Sequence, residues 1–485
     1  SGLRRSPAYP AAPTERNTAA PSMNAFSKLR WKLPAALAGL IALGTSLSPV
    51  AQAKAAPDRD RQPTQAAAKA GGCDLGSAEV NLDGNNVNAL LFNNGALFWK
   101  GGDHIYEVPK GSGRHSIFAS GLWLAGEVDG SARFAGTDYG PYEYYPGPLD
   151  ANGNVTQAVC SQFDRFWKVN RQDIFDYNQT GEAAPDLSTW PIAYGAPFFV
   201  DLNGDGRRTI SLDDDEGNDD EVLNEPSIEL SLGDPGYETR QINLAAGERP
   251  DIIGDQGIWW VMNDNGGPHN WSELPALQVE IQAHAFSFST ADALNNTTFY
   301  KYQIFYRGTQ TLTNAYVGLW SDPDLGDAGD DYVGSNPESG IGFVYNGDNF
   351  DAGATGYGNV PPALGYDFFQ GPLVDTDGLD NNGNGEVDEE GERIAMEKFV
   401  YYNNDSSVQG NPSGGVEGYQ YLKGQWRDGS SITFGGAGYQ TGEETDFMFP
   451  ANPPAFWSEY NIDGLGTSNI PADRRFVMSS GPFLI

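Results

Sequence analysis

Oxygen-bearing side chains recur at alternate positions of residues 201–207, whose sequence is DLNGDGR. Asp201, Asn203 and Asp205 can each offer an oxygen to a calcium ion, and the Arg207 carbonyl is the next donor, as in the first half of an EF-hand loop. Leu212 occupies the twelfth position, where an EF-hand loop has its bidentate glutamate. Turns of this composition also form without metal, through side-chain bonds to their own backbone. The sequence predicts a calcium site here, with the metal-free turn as the alternative.

A second segment, residues 375–390, follows the spacing of a calcium loop more closely. Its first, third, fifth, seventh and ninth ligand positions are filled by Asp380, Asn382, Asn384, Glu386 and Asp388. Glu386 offers its carbonyl oxygen, and Val387 is expected to anchor the loop on a core. Because Gly391 holds the twelfth position, the shell must be closed by Glu389 or Glu390, or by Asp375 and Asp377 from the other side. Calcium is predicted, and a metal-free acidic turn is the alternative.

A third acidic segment, residues 322–331, has the sequence DPDLGDAGDD and follows an apolar, aromatic run. Its spacing matches no regular calcium loop. Five carboxylates this close repel one another unless they are solvated or share a cation. Asp322, Asp324 and Asp327 are therefore candidate metal ligands, and a solvated acidic surface is the alternative.

The whole chain is strongly acidic, with 65 Asp and Glu against 29 Lys and Arg and a formal net charge of −36. Such an excess repels the phosphates of nucleic acids and anionic lipids, so we expect neither as a partner. Calcium ions are the expected partners. The acidity is explained by metal ligands, by a surface adapted to salt, or by both.

Catalytic constellations are not evident in the sequence. The four histidines lie outside any HExxH or Gly-x-Ser-x-Gly motif, and paired carboxylates carry little information in a chain this acidic. No catalytic residue is predicted, and an enzyme is the less favoured interpretation. The alternative is a module that binds or degrades extracellular polysaccharide, with sugars stacked on the aromatic residues of 142–145, 259–260 or 447–450. Exposed aromatics in a concave groove would favour that alternative, and buried ones a structural protein.

Residues 23–53 have the features of a secretory signal peptide: basic residues, an apolar run, and a small-x-small pattern at Ala51 and Ala53. The run contains Pro and Gly and is shorter than the ~20 residues of a membrane span. We interpret residues 1–22 as an upstream extension and 54–72 as a disordered linker. The mature chain is expected to be secreted, extracellular or on the cell surface, without a transmembrane segment.

Cys73 and Cys160 are the two cysteines of the chain, and both follow the predicted signal peptide. An oxidising compartment would allow them to form a disulfide. The alternative is a pair of free, buried thiols.

The remaining sequence predicts an all-β fold, mostly antiparallel and sandwich-like, with long Asp/Asn/Gly-rich loops and little helix. Apolar residues alternate with polar ones along 277–285, which predicts a strand with one dry and one wet face. Asn170 is placed to cap a short helix over 171–177. We expect two β-rich units, 73–211 and 248–485, separated by an acidic insertion, 212–247. The apolar final residues suggest that the second unit is truncated at its C-terminus, and a native end whose last strand pairs within a sheet is the alternative.

Several segments also resemble the N-terminal region of large proteins exported by the type IX secretion route in Bacteroidota and their relatives. The segments that carry the resemblance are 94–99, 106–113, 139–144, 166–169, 254–256, 322–327, 345–348 and 478–483. The resemblance implies a β-rich ectodomain, normally followed by further β modules and a C-terminal sorting domain. It implies location and fold but no activity. We therefore expect a secreted or cell-surface protein of structural or adhesion type. Its expected partners are calcium ions, and extracellular polysaccharide or other surface proteins are further candidates.

Overall fold

The structure is a computed structural model of the chain. It describes residues 72–101, 103–136, 138–201, 204–207, 240–374, 378, 380, 385–389, 391–451 and 456–484. The predicted upstream extension and signal peptide lie outside the described residues, as do nearly all of the linker and most of the acidic insertion. The unit boundary predicted there stays a prediction. Within the described residues, no helix has the length and apolar character needed to cross a membrane.

Antiparallel strands make up most of the regular secondary structure of the described chain, which confirms the predicted all-β fold. The strands are β1 (Glu79–Leu82), β2 (Asn88–Phe92), β3 (Ala96–Leu97), β4 (Trp99–Lys100), β5 (Asp103–His104), β6 (Tyr106–Glu107), β7 (Ala119–Val128), β8 (Ser131–Ala135), β9 (Tyr145–Pro146), β10 (Trp167–Asn170), β11 (Phe198–Val200), β12 (Glu248–Pro250), β13 (Gln256–Asn263), β14 (Val279–Ser287), β15 (Thr298–Tyr306), β16 (Thr313–Asp322), β17 (Asp331–Asn336), β18 (Ile341–Asn346), β19 (Phe350–Asp351), β20 (Gly358–Asn359), β21 (Ala363–Asp367), β22 (Lys398–Asn403) and β23 (Arg474–Phe483). The α-helices are α1 (Gln157–Phe163), α2 (Arg171–Thr180), α3 (Pro185–Ser188) and α4 (Gly415–Leu422).

The largest sheet has nine strands, in the order β1-β2-β3-β7-β16-β23-β22, with β6 paired to β2 and β8 paired to β7. Strand β16 lies inside this sheet, between β7 and β23, and is antiparallel to both. Its neighbour β23 comes from the far end of the sequence. The sheet therefore joins chain segments more than 150 residues apart.

A second sheet has the order β10-β13-β14-β15, with β9 added to β13. Strand β14 is the alternating strand predicted from the sequence, but its predicted wet face is wrong. Glu280, Gln282 and His284 are all buried, because a smaller hydrophobic cluster that includes Trp190 and Trp259 covers that side. The main hydrophobic cluster covers the other side. Burial lowers the pKa of His284 to about 3, so this histidine is neutral.

Helix α2 begins where the sequence predicts it. The Asn170 backbone N–H donates to the Asp173 carboxylate at 2.7 Å, which forms a capping box. The helix ends at Gly181, whose φ of 75° is the left-handed conformation common at helix C-termini.

Cys73 and Cys160 are joined by a disulfide, with their Cα atoms 6.0 Å apart. The bond ties the start of the described chain to α1. It closes a loop with a sequence separation of 87 residues.

Candidate metal centre

Two strands of the nine-stranded sheet bring acidic residues from distant segments together. Strand β16 ends at Asp322, and β23 begins at Arg474, directly after Asp473. The strands run antiparallel, and Ser321 lies opposite Phe476. The end of β16 therefore meets the start of β23. This register places Asp473 beside the acidic loop 323–330 that follows β16.

Three carboxylates converge at this meeting point. Asp322, Asp324 and Asp473 each offer one oxygen, and these oxygens all lie within 4.8 Å of one another. Asp322 is buried, whereas Asp324 and Asp473 are half-buried. The cluster is thus closed on one side and reaches solvent on the other.

The two oxygens of Asp322 have different surroundings. Oδ2 accepts hydrogen bonds from the Tyr139 hydroxyl at 2.5 Å and from Arg475 Nη2 at 3.1 Å. Oδ1 is buried and has no hydrogen-bond partner among the described residues. Such a group is costly to bury unless something binds it. Oδ1 is therefore the oxygen of Asp322 available to a cation.

Arg475 is the basic side chain of the cluster. It contacts the carboxylates of both Asp322 and Asp473, and its Nε donates to the Tyr139 hydroxyl oxygen at 3.0 Å. Asn404 Nδ2 donates to Asp473 Oδ2 at 2.9 Å. These contacts hold two of the three carboxylates in place, and the one guanidinium balances only part of their charge.

The electrostatics of the cluster favour a positive charge. Burial, together with the charges of Asp473 and Asp138, raises the pKa of Asp322 to about 7 although Arg475 opposes the shift. Burial and the charge of Asp322 raise the pKa of Asp324 to about 8. Without a metal ion, protonation of these carboxyl groups must relieve the repulsion between them. A metal ion would relieve it while the carboxylates stay ionised.

The acidic loop is shaped by further carboxylates that bind its backbone. Asp351 accepts from the Asp327 N–H at 3.0 Å and from the Tyr357 N–H at 2.6 Å. Asp327 Oδ1 accepts from the Gly329 N–H at 2.9 Å and caps a short turn. Asp327 was predicted as a ligand beside Asp322 and Asp324, but the structure leaves it outside the group of three. Its place is taken by Asp473, which sequence reasoning missed.

The described residues of the first predicted calcium loop form a hydrogen-bonded turn. Asp201 Oδ1 accepts from the Gly204 N–H at 2.8 Å, and Oδ2 accepts from the Gly206 N–H at 3.0 Å. Asp205 Oδ1 accepts from the Arg207 N–H at 2.7 Å. Asn203 lies outside the described residues. These bonds are those of the metal-free alternative, and the calcium site here stays a prediction.

The second predicted loop is described only in part. Asp380 Oδ2 accepts from the Gly385 N–H at 2.9 Å, and Asp388 Oδ1 accepts from the Gly378 N–H at 2.8 Å. Glu386 is exposed. Val387 is 56% exposed, so its predicted role as an anchor on a core is wrong: the loop holds it at the surface. The other predicted ligands lie outside the described residues: Asp375, Asp377, Asn382 and Asn384.

The aromatic residues proposed for sugar stacking are mostly core residues. Trp259, Trp260, Tyr144, Tyr145 and Phe449 are each at most 3% exposed. No tryptophan in the described ranges is an exposed residue. These aromatics therefore stabilise the fold and do not form a binding platform.

A cleft of about 510 Å³ opens beside the acidic cluster. It is lined by Tyr401, Asn403, Asn404, Asp405, Gln409, Ala437, Asn469, Ile470, Ala472, Asp473 and Arg474. Its one aromatic residue, Tyr401, is 1% exposed, so the ring is not available for stacking on a ligand. The cleft is polar, and Asp473 connects it to the acidic cluster.

Comparison with known protein families, with curated proteins and with solved structures found no match. The resemblance to proteins of the type IX route therefore stays a prediction. Function has to be inferred from the geometry of the chain itself.

Proposed function

We propose that this chain is a secreted or cell-surface protein of structural or adhesion type, in which calcium stabilises the long acidic loops. The observation that carries the proposal is the convergence of Asp322, Asp324 and Asp473 at the junction of β16 and β23. These residues come from two distant segments. A cation bound there would join the two segments.

The chemistry of the cluster suits calcium. Carboxylate oxygens bind hard cations, and calcium takes six to eight oxygen ligands in flexible geometry. Three carboxylates and one guanidinium leave an excess of two negative charges, which one divalent ion balances. Asp324 and Asp473 are half-buried, so water can complete the coordination shell from the open side.

Calcium bound at this site would stabilise the folded chain by mass action. At ten to a hundred times the dissociation constant, the gain is about 1.4 to 2.7 kcal/mol for one site. Extracellular modules commonly bind calcium with dissociation constants of ~10⁻⁴ to 10⁻³ M. Secretion into a medium whose calcium concentration exceeds these values would therefore fill a site of this affinity.

Two other observations support an extracellular structural role. The Cys73–Cys160 disulfide is of a kind that persists mainly in oxidising compartments. The burial of Trp259 and Trp260 favours the structural interpretation over polysaccharide binding, because sugar stacking needs exposed rings.

The proposal is tested by thermal unfolding of the purified chain with calcium and with excess chelator, together with analysis of bound metal. We expect bound calcium and a midpoint several degrees lower after chelation. The variant D473N should lose most of this difference, because it removes one of the three ligands. D348N is the matched control, since Asp348 is exposed and caps a nearby turn. A metal-free preparation whose melting curve does not respond to calcium would refute the proposal.

A further inference from the structure

Strand β15 (Thr298–Tyr306) lies at one end of the second sheet and has one free edge. It pairs with β14 on one side, and no other strand of the described chain pairs with it. Eight of the nine residues of β14 are buried, whereas none of the nine residues of β15 is. The last strand of this sheet is therefore partly exposed along its whole length.

The ladder with β14 determines which backbone groups point to the free edge. The Arg307 N–H donates to the Gln278 carbonyl at 2.9 Å, and the register continues along the whole strand without a shift. Hydrogen-bonded positions alternate along an antiparallel strand, so the odd-numbered residues of β15 bond to β14. The N–H and C=O groups of Tyr300, Tyr302 and Ile304 therefore point away from β14, and they have no backbone partner among the described residues.

The other ends of the two large sheets are shorter or already covered. Strands β1 and β10 have four residues each. The outer side of β22 is bonded by a neighbouring segment, because the Phe399 N–H donates to the Asp446 carbonyl and the Met448 N–H donates to the Phe399 carbonyl. Strand β15 has neither a proline nor a bulge, two of the devices that prevent an edge from pairing with another chain. It is therefore an open template for a further strand.

We propose that β15 pairs antiparallel with β15 of a second copy of this chain, so that two copies form a symmetric dimer through this edge. The two-fold axis passes through Tyr302, perpendicular to the sheet, and the sheet continues from one copy into the other. Main-chain hydrogen bonds between the two strands supply the contact. The inference goes beyond the proposed function and does not depend on bound calcium.

The register centred on Tyr302 makes the strand complementary to itself. Lys301 of one copy lies opposite Gln303 of the other, and Phe299 lies opposite Phe305. Each of these pairs occurs twice, and aromatic cross-strand pairs are stabilising. The backbone groups of Tyr302 point outward, so this residue can exchange two hydrogen bonds with its counterpart. A contact in which both copies use the same surface is the commonest arrangement of homo-oligomers.

Other registers fit less well. Tyr302 is the midpoint of the nine-residue strand, so the register centred on it pairs every residue, and each shift of the centre leaves residues at the ends unpaired. A centre at Lys301 would oppose two lysines, and a centre at Ile304 would oppose Lys301 to Arg307. Like charges directly opposite each other are destabilising.

The overall charge of the chain opposes association and gives the dimer a characteristic salt dependence. Each copy has a formal net charge of −36, so two copies repel each other, and salt screens this repulsion. Because the contact itself consists of main-chain bonds and aromatic pairs, screening costs it little. The dimer should therefore become tighter as sodium chloride is raised.

The test is sedimentation velocity of the purified chain over a concentration series, at low and high sodium chloride. We expect a dimer whose dissociation constant falls with salt. Q303K should raise that constant about 2- to 30-fold, because it places a lysine opposite Lys301 on both sides of the axis. Gln303 is exposed and lies beside the uncharged Gln282 of β14, so the monomer should keep its fold. Q440K is the matched control, since Gln440 is exposed and outside β15.

Two further variants test the register. Q303E should lower the dissociation constant by a similar factor, because it places a glutamate opposite Lys301, and K301E/Q303K should dimerise at least as well as the wild type. Melting curves show that each variant is folded, and Q303E decides the question if Q303K does not fold.

A wild type that stays monomeric over the whole concentration and salt range would overturn the inference. So would a dimer whose dissociation constant is the same in the wild type, Q303E and any folded Q303K, because its contact would lie elsewhere. All measurements are made with calcium and with chelator. A chain that binds no calcium but dimerises as expected would refute the proposed function and leave this inference standing, and a monomeric chain stabilised by calcium would do the reverse.

Discussion

At the residue scale, the site depends on one aspartate that the sequence identifies poorly. Asp322 and Asp324 were predicted from their crowding within one loop. Asp473 lies about 150 residues further along and becomes a neighbour only through the pairing of β16 with β23. Local spacing cannot reveal a contact of that separation. The sequence analysis named Asp327 instead of Asp473, because Asp327 is close to Asp322 and Asp324 in sequence. In the structure, the Asp327 carboxylate accepts a hydrogen bond from the Gly329 N–H.

The raised pKa values of Asp322 and Asp324, about 7 and about 8, predict how the calcium effect depends on pH. In the unfolded chain these carboxyls titrate near 3.9, so between that value and about 8 the metal-free folded state holds more protons. Its stability should therefore fall as pH rises through this window. Calcium binds the ionised carboxylates and should offset the loss.

The measurement is the difference in melting temperature between calcium-loaded and chelated protein at pH 5.5, 7 and 8.5. We expect the difference to increase with pH in the wild type and in D348N, and to stay small in D473N. A difference that is the same at all three pH values would contradict the assignment of these two carboxyls to the site.

At the element scale, the strands were easier to predict than their surroundings. Alternating apolar residues identified β14 correctly, but the polar face of this strand is buried under a second hydrophobic cluster. Alternation reports which side chains share a face, not what covers that face. Glu280 remains stable there because Arg307 and the Leu149 N–H bind its carboxylate. Helix α2 was predictable because its capping box lies within four consecutive residues.

The acidic loop between β16 and β17 requires a glycine at position 326. Gly326 has a φ of +84°, and a Cβ atom there would lie 1.9 Å from Asp351 Oδ2. G326A should therefore displace Asp351, loosen the backbone of the loop and weaken calcium binding severalfold. The expected loss of stability is about 1–3 kcal/mol, the usual cost of a strained backbone position.

G365A is the matched control for this variant. Gly365 lies in strand β21, its φ is not positive, and its nearest neighbour to an added Cβ is an Ile341 methyl group at 4.0 Å. Calcium titrations and melting curves of both variants make the comparison. Equal calcium affinity in G326A and G365A would show that the loop geometry does not determine binding.

At the scale of the whole molecule, two explanations of the acidity can be separated. The net charge of −36 destabilises any compact state through self-repulsion, and simple salt screens it. A salt-adapted surface needs only screening, whereas the calcium site that we propose at Asp322, Asp324 and Asp473 would need a specific divalent ion. The two effects would add, because they would act on different carboxylates.

Unfolding in chelator should therefore shift to higher temperature as sodium chloride is raised, with a gradual and non-saturating dependence. Millimolar calcium at constant ionic strength should add a further, saturable shift, and D473N should lose much of that shift while keeping the response to salt. The reason is that screening acts over the whole surface, whereas binding requires three converging oxygens. Melting curves over a matrix of salt and calcium concentrations make the measurement. If sodium chloride alone reproduces the full calcium effect at equal ionic strength, the acidic loops act as a screened surface and not as metal ligands.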